Sequence, residues 1–105
     1  MTDIRFSPES LRDLQEIKAY IAEELENPGA ADSTVSGILD KIRSLSDFPE
    51  MGGRLSAVTG IETGYRYLVC GSYMVFYRNK SGAVLIVRIL YGRRNYLDIL
   101  FEKHS

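Results

Sequence analysis

The densest group of chemically capable side chains is Tyr91-Gly92-Arg93-Arg94-Asn95-Tyr96, two adjacent guanidinium groups set between two phenols. Arginine forks match phosphate oxygens, aromatic rings accept stacked bases, and glycine lets a backbone approach closely. The same pair also suits an acidic protein segment, and a solvated strand end would carry the same residues. Two more arginines interrupt apolar runs: Arg66 within Gly64-Tyr65-Arg66-Tyr67-Leu68-Val69-Cys70, and Arg88 between Val87 and Ile89. Strand alternation puts Arg66 on one face with Leu68 and Cys70, so it needs an anion, a salt bridge at the rim, or a ring of Tyr65, Tyr67 or Tyr73 to stack on. Arg88 needs a counter-charge, and Asp13 or Glu16 can supply one.

Groups for proton transfer or nucleophilic attack are few. Tyr91 and Tyr96 stand beside the arginines, where a phenol works as an acid or base only if positive charge lowers its pKa from ~10. Tyr65, Tyr67, Tyr73 and Tyr77 suit cross-strand aromatic pairs. Cys70, the single cysteine, precedes a hairpin turn with no histidine nearby and reads as a small core residue. Glu62 is the one loop acid ahead of the basic strands and is a candidate general base. The only histidine is His104, which excludes Ser-His-Asp triads and most metal centres. No metal and no cofactor is expected. A lone thiol also excludes an internal disulfide framework and suits a reducing compartment.

These residues must be positioned by one small domain. The 105 residues, 45% apolar and 26% charged, have globular composition and room for a single core spanning 1–105. Nothing resembles a leader peptide or approaches the ~18 apolar residues of a membrane span, so the chain reads as soluble, unexported and cytoplasmic. The formal net charge of −1 conceals a division. Residues 1–51 carry five Lys/Arg against eleven Asp/Glu, a balance of −6, whereas residues 52–105 carry eight against three, a balance of +5. An anionic partner, nucleic acid or acidic protein, belongs on the second half.

The elements follow from periodicity and punctuation. Asp3 to Phe6 is a short extended segment, and Ser7-Pro8 is an N-cap with proline at the first helical position. Leu11, Leu14, Ile17, Ile21 and Leu25 then form an apolar stripe over about five helical turns. Asn27-Pro28-Gly29 breaks this helix and starts a second, striped by Ala31, Val35, Ile38, Leu39, Ile42 and Leu45 and ending near Pro49, antiparallel to the first. Met51-Gly52-Gly53 is a joint into an irregular stretch, Arg54 to Thr63, read as loop with room for a short edge strand. Tyr65–Cys70, Tyr73–Arg78 and Ala83–Tyr91 are strand-like, linked by Gly71-Ser72 and by the four residues Asn79 to Gly82, so a three-stranded antiparallel meander is expected. Tyr96 to Lys103 reads as a terminal helix with Leu97, Leu100 and Phe101 inward. The class is α+β: an N-terminal strand and a helical hairpin covering one face of an antiparallel sheet, with the other face left to work.

Taken in order, Phe6-Ser7-Pro8, Asp13-Leu14, Ile17, Tyr20-Ile21, Ala30-Ala31, Ile38 to Ile42, Leu45 through Pro49 to Gly52, Gly64 to Val69, Tyr73 to Arg78 and Val87 to Asn95 resemble the ParE branch of the RelE/ParE superfamily of bacterial toxins from type II toxin-antitoxin operons. The resemblance covers nearly the whole chain. It implies a toxin neutralised by an antitoxin whose C-terminal segment wraps over it. It also implies one of two targets: DNA gyrase for ParE-like members, or mRNA in the ribosomal A site for RelE-like members, which cleave it with basic and tyrosine side chains. In the RelE-like pattern a functional arginine falls early in the middle strand, where this chain has Met74, and a functional tyrosine falls near Leu100. Arg94 matches a RelE-like basic position, and Arg66 stands where lysine is frequent. The expectation is therefore a gyrase-directed toxin without catalysis of its own, with Arg66, Arg88, Tyr91, Arg93, Arg94 and Tyr96 forming the surface for target or antitoxin. The alternative is a ribosome-dependent endoribonuclease using Arg94, Arg88 and Tyr91.

Overall fold

The computed structural model describes residues 2–101. Strand β1, Asp3–Phe6, leads into helix α1, Pro8–Ala19, whose cap is the expected one: Ser7 Oγ accepts from the Ser10 amide at 3.0 Å. The helix does not run on as a regular five turns. After Ala19 it widens into a π-helical turn, Tyr20–Glu24. A wider turn needs more residues to come round, so Leu25 falls short of the position below Ile21 and stays 57% exposed. At the other end Leu11 is 48% exposed, because Ser10 and Asp13 take the buried positions beside Leu14 and Ile17. Two polar residues displace a leucine there because each has a bond to make.

Helix α2, Pro28–Arg43, is capped by Asn27, whose side chain accepts from the Ala30 amide at 3.1 Å. It passes into a 3-10 turn at Ser44–Ser46. The stretch read as loop holds a two-residue strand β2, Gly53–Arg54, and a single helical turn α3, Ser56–Thr59. Strands β3 (Tyr65–Cys70), β4 (Tyr73–Lys80) and β5 (Ala83–Tyr91) form the expected meander. Strand β4 is longer than expected, since Asn79 and Lys80 pair with Val84 and Ala83. The turn shrinks to Ser81-Gly82, both at positive φ (52° and 79°), the two-residue form whose twist matches the flanking strands. Helix α4, Tyr96–Leu100, is shorter than read, and Glu102 and Lys103 lie outside the described residues.

The sheet has five strands in the order β1-β5-β4-β3-β2. It is mixed rather than wholly antiparallel, because β1 joins the far edge of β5 in parallel, with Ile4 opposite Val84 and Phe6 opposite Ile86. Leu68, Val75, Tyr77, Val84, Ile86 and Ile89 pack under α1 and α2 in the main core. The opposite face is not left bare. Leu55, Phe76 and Leu90 form a second core there, with Tyr65, Tyr67, Met74 and the inner side of α4 against it. Among the described residues no helix is long and apolar enough to cross a membrane.

Candidate functional site

Strand β1 ends at Phe6, so β5 beyond Ile86 has no strand neighbour on that side and its backbone groups need other partners. The start of α1 provides them. Ser7 Oγ donates to the Val87 carbonyl at 2.7 Å, and the Asp13 carboxylate accepts from the Ile89 amide at 2.9 Å. The same carboxylate receives Arg88 in a two-pronged pair, Nε at 2.8 Å and Nη2 at 2.9 Å. With three donors on one buried carboxylate, the Arg88 guanidinium is held charged, its pKa raised by the Asp13 hydrogen bond against the opposing effect of burial. Of the two acids considered from sequence, Asp13 is the partner. Arg88 is thus tied to the molecule's own carboxylate and fixes α1 to the sheet, rather than standing open with the other arginines.

Arg66 finds neither a salt bridge nor a ring among the described residues. Its Nη1 donates to the backbone carbonyls of Gly52 at 2.9 Å and Glu50 at 3.2 Å. The Tyr77 hydroxyl, buried on the neighbouring strand, accepts from the Gly52 amide at 3.0 Å, and burial raises the phenol's pKa despite that bond. Together they hold the loop before β2 against the sheet. A side chain at Gly52 would meet the Tyr67 carbonyl and the Tyr77 hydroxyl at 2.6 Å, so the joint is glycine for lack of space.

The tyrosine-arginine group after β5 divides. Tyr91 is the last residue of β5 and meets the ring of Tyr73 edge-on, centroids 5.9 Å apart. The chain turns at once, with the Gly92 amide donating to the Ser72 carbonyl (2.8 Å) and Arg94 N to the Tyr91 carbonyl (3.0 Å). Arg93 and Arg94 are exposed and make no ion pair among the described residues. Tyr96 goes elsewhere: it packs on Phe76 at 5.1 Å, on the sheet face away from the helical hairpin. Met74 and Leu100, the positions where a RelE-like site would carry arginine and tyrosine, both pack into that second core.

Tyr91 and Arg94 border a cleft of about 700 Å³ between the first helix and the strand ends. Its apolar floor comes from Ile17, Ile21, Tyr73 and Ile89, with Tyr20 and Leu25 on the helical wall and Glu16 opposite the arginine. Burial pushes the Tyr73 phenol above its ordinary pKa, and the neighbouring phenols of Tyr20 and Tyr91 push the same way. A phenol so shifted is a poor proton donor or acceptor at neutral pH. Sequence reading missed Tyr20 and the exposed Leu25 as cleft residues, because the π-helical turn that carries them off the core is not marked in the apolar spacing. Glu62 lies outside the cleft, its carboxylate accepting from the Gly64 amide. Cys70 is half-buried near Lys41 at a shallower adjoining hollow; burial raises its thiol pKa and Lys41 opposes this.

The arrangement offers apolar contact surface with a cationic end. The fold is similar to that of a solved structure described as the chromosomal ParDE TA system from P. aeruginosa, with a TM-score of 0.72 and 23% sequence identity over 87% of this chain and 96% of that one. No curated protein sequence matches the chain. Residues 4–96 match the profile of the family described as ParE toxin of type II toxin-antitoxin system, parDE, and that span takes in the α1 anchor, the sheet and both cleft residues Tyr91 and Arg94; the chain belongs to this ParE toxin family.

Proposed function

We propose that this chain inhibits growth in the cytoplasm by binding and poisoning DNA gyrase, with no catalysis of its own, and that a cognate antitoxin neutralises it by laying a segment across the Tyr91–Arg94 cleft. The observation that carries this reading is the fate of the positions RNA cleavage would use. Met74 and Leu100 are packing residues, and Arg88 is consumed by Asp13. Cleavage through a 2′-hydroxyl needs a base, an acid and charge stabilisation together. What stays available is Arg93 and Arg94 beside an aromatic-walled cleft, which suits recognition of a protein segment with acidic and apolar side chains.

Induction in a bacterial host tests the target. Filamentous cells with DNA-damage signalling and intact transcripts are expected; rapid translational arrest with A-site mRNA cuts would overturn the gyrase reading in favour of the endoribonuclease. Arg94→Glu tests the cleft: affinity for the cognate antitoxin should fall by at least about tenfold, roughly 1.4 kcal/mol, with an unchanged thermal melt.

A further inference from the structure

A second cationic surface lies at the other end of the sheet, on the face away from the helical hairpin. The register lines up Arg5 of β1, Leu85 of β5, Arg78 of β4 and Tyr65 of β3 in one row across four strands. The next row toward the turn reads Asp3, Ala83 and Lys80. Residues directly opposite share a face, and since Val84 and Ile86 point into the main core, this row points away from it. Arg5, Arg78 and Lys80 are exposed and form no ion pair among the described residues, and Leu85 between them is 36% exposed. Three cations against the single acid Asp3 thus surround an exposed apolar side chain on this face of the sheet.

We infer that this ledge is a docking surface for an acidic protein segment that places carboxylates to either side of an apolar side chain seated on Leu85. Arg5 and Arg78 are one strand apart from Leu85 on either side, a separation of about 10 Å, and Arg78 and Lys80 are about 7 Å apart along β4. The second spacing equals that of side chains two apart on an extended strand, so consecutive outward carboxylates of an extended peptide match it. Two features set a protein partner above single-stranded nucleic acid. The only ring in the row, Tyr65, is already stacked by the Arg78 guanidinium at 5.2 Å and in a T-shaped contact with Phe101, so a base would have to compete with the guanidinium for it. The centre of the ledge is apolar, which a phosphate backbone does not use and a peptide does. The surface lies at the opposite end of the strands from Tyr73 and Tyr91, so it stands whichever target the toxin attacks.

The test is NMR titration of the isotopically labelled chain with two probes at equal salt: a short peptide repeating Glu-Ser-Val-Ser, whose glutamates and valines share one face when extended, and a thymidylate strand of equal formal charge. The peptide is expected to shift the amides of Arg5, Arg78, Lys80 and Leu85. Its affinity should fall by about tenfold or more in the Arg5→Glu/Lys80→Glu double variant, which leaves the Arg78–Tyr65 stack intact, and change less than about twofold in Arg94→Glu. Shifts centred on Tyr91 and Arg94, no saturable peptide binding, or tighter binding of thymidylate at the ledge would each overturn the proposal. A thermal melt of the double variant matching the parent excludes loss through unfolding.

Discussion

Asp13 concentrates three hydrogen bonds on one carboxylate, to both prongs of Arg88 and to the Ile89 amide, and its side chain is only 5% exposed. Asp13→Ala leaves a largely buried guanidinium without its counter-charge and a strand amide without an acceptor, so a loss of about 3 kcal/mol is expected, with a melting temperature lower by on the order of 10 °C. Asp13→Asn keeps an acceptor for Ile89 and should lose less; an Asp13→Asn variant that melts with the parent would show that the charge pairing contributes nothing. The phenols of Tyr73 and Tyr77 make a pH prediction. Both have folded pKa values above the ordinary 10.0, so the folded state favours the protonated form. The stability this contributes is complete below pH ~10 and is lost as pH rises from there through the folded pKa. Melting temperature should therefore fall steeply above about pH 10, and Tyr77→Phe should flatten that fall while lowering stability at neutral pH through the lost Gly52 bond.

At the scale of elements, a one-residue bulge in β5 decides which side chains reach the core and the cleft. Tyr77 pairs with Ile86 but Phe76 pairs with Arg88, leaving Val87 as the extra residue. Counting straight back from the Ser81-Gly82 turn would set Arg88 opposite Val75, inside the main core, and Leu90 opposite Tyr73. The bulge instead sends Ile89 inward and brings Tyr91 against Tyr73. Its trace in the sequence is the step of three from Ile86 to Ile89 in an otherwise alternating strand. Helix starts, the meander and the helical hairpin were legible because caps, proline and apolar period all agree there. The π-helical turn, the parallel joining of β1 and the second core were not, since each depends on contacts between distant segments. For the candidate site, adjacency of Arg93, Arg94 and Tyr91 could be read directly, whereas the withdrawal of Arg66 to carbonyls and of Tyr96 to the far face could not. The glycine joint gives a clean test: Gly52→Ala forces a methyl against the Tyr67 carbonyl and Tyr77 hydroxyl, and should cost about 1–3 kcal/mol in denaturant unfolding. A variant as stable as the parent would show that the loop before β2 is not clamped as described.

The whole molecule is a slab of 40 × 39 × 22 Å, thin enough that both sides of the sheet remain close to solvent. The charge division of the sequence becomes spatial: Glu9, Glu16, Glu23 and Glu24 lie exposed along the first helix and its π-helical turn, while Arg78, Lys80, Arg93 and Arg94 lie exposed on the sheet and its ends. A partner carrying negative charge is steered to the sheet side, and its association rate should drop as salt rises from about 0.05 to 0.5 M, because the Debye length shrinks over that range. Stopped-flow association with the cognate antitoxin measures this; a rate independent of salt would assign recognition to the apolar cleft alone.

The pairing of the first strand with the last has a temporal meaning as well. Residues 3–6 find their neighbours only at 83–86, and the hydroxyl of Ser7 finds its acceptor eighty residues later. During synthesis the opening segment must wait, unpaired, until nearly the entire polypeptide has emerged, and loop closure over so long a span is slow. A half-made chain consequently has neither the edge pairing of β1 nor the Ser7 anchor of the first helix, and the sheet closes only once its last strand is available.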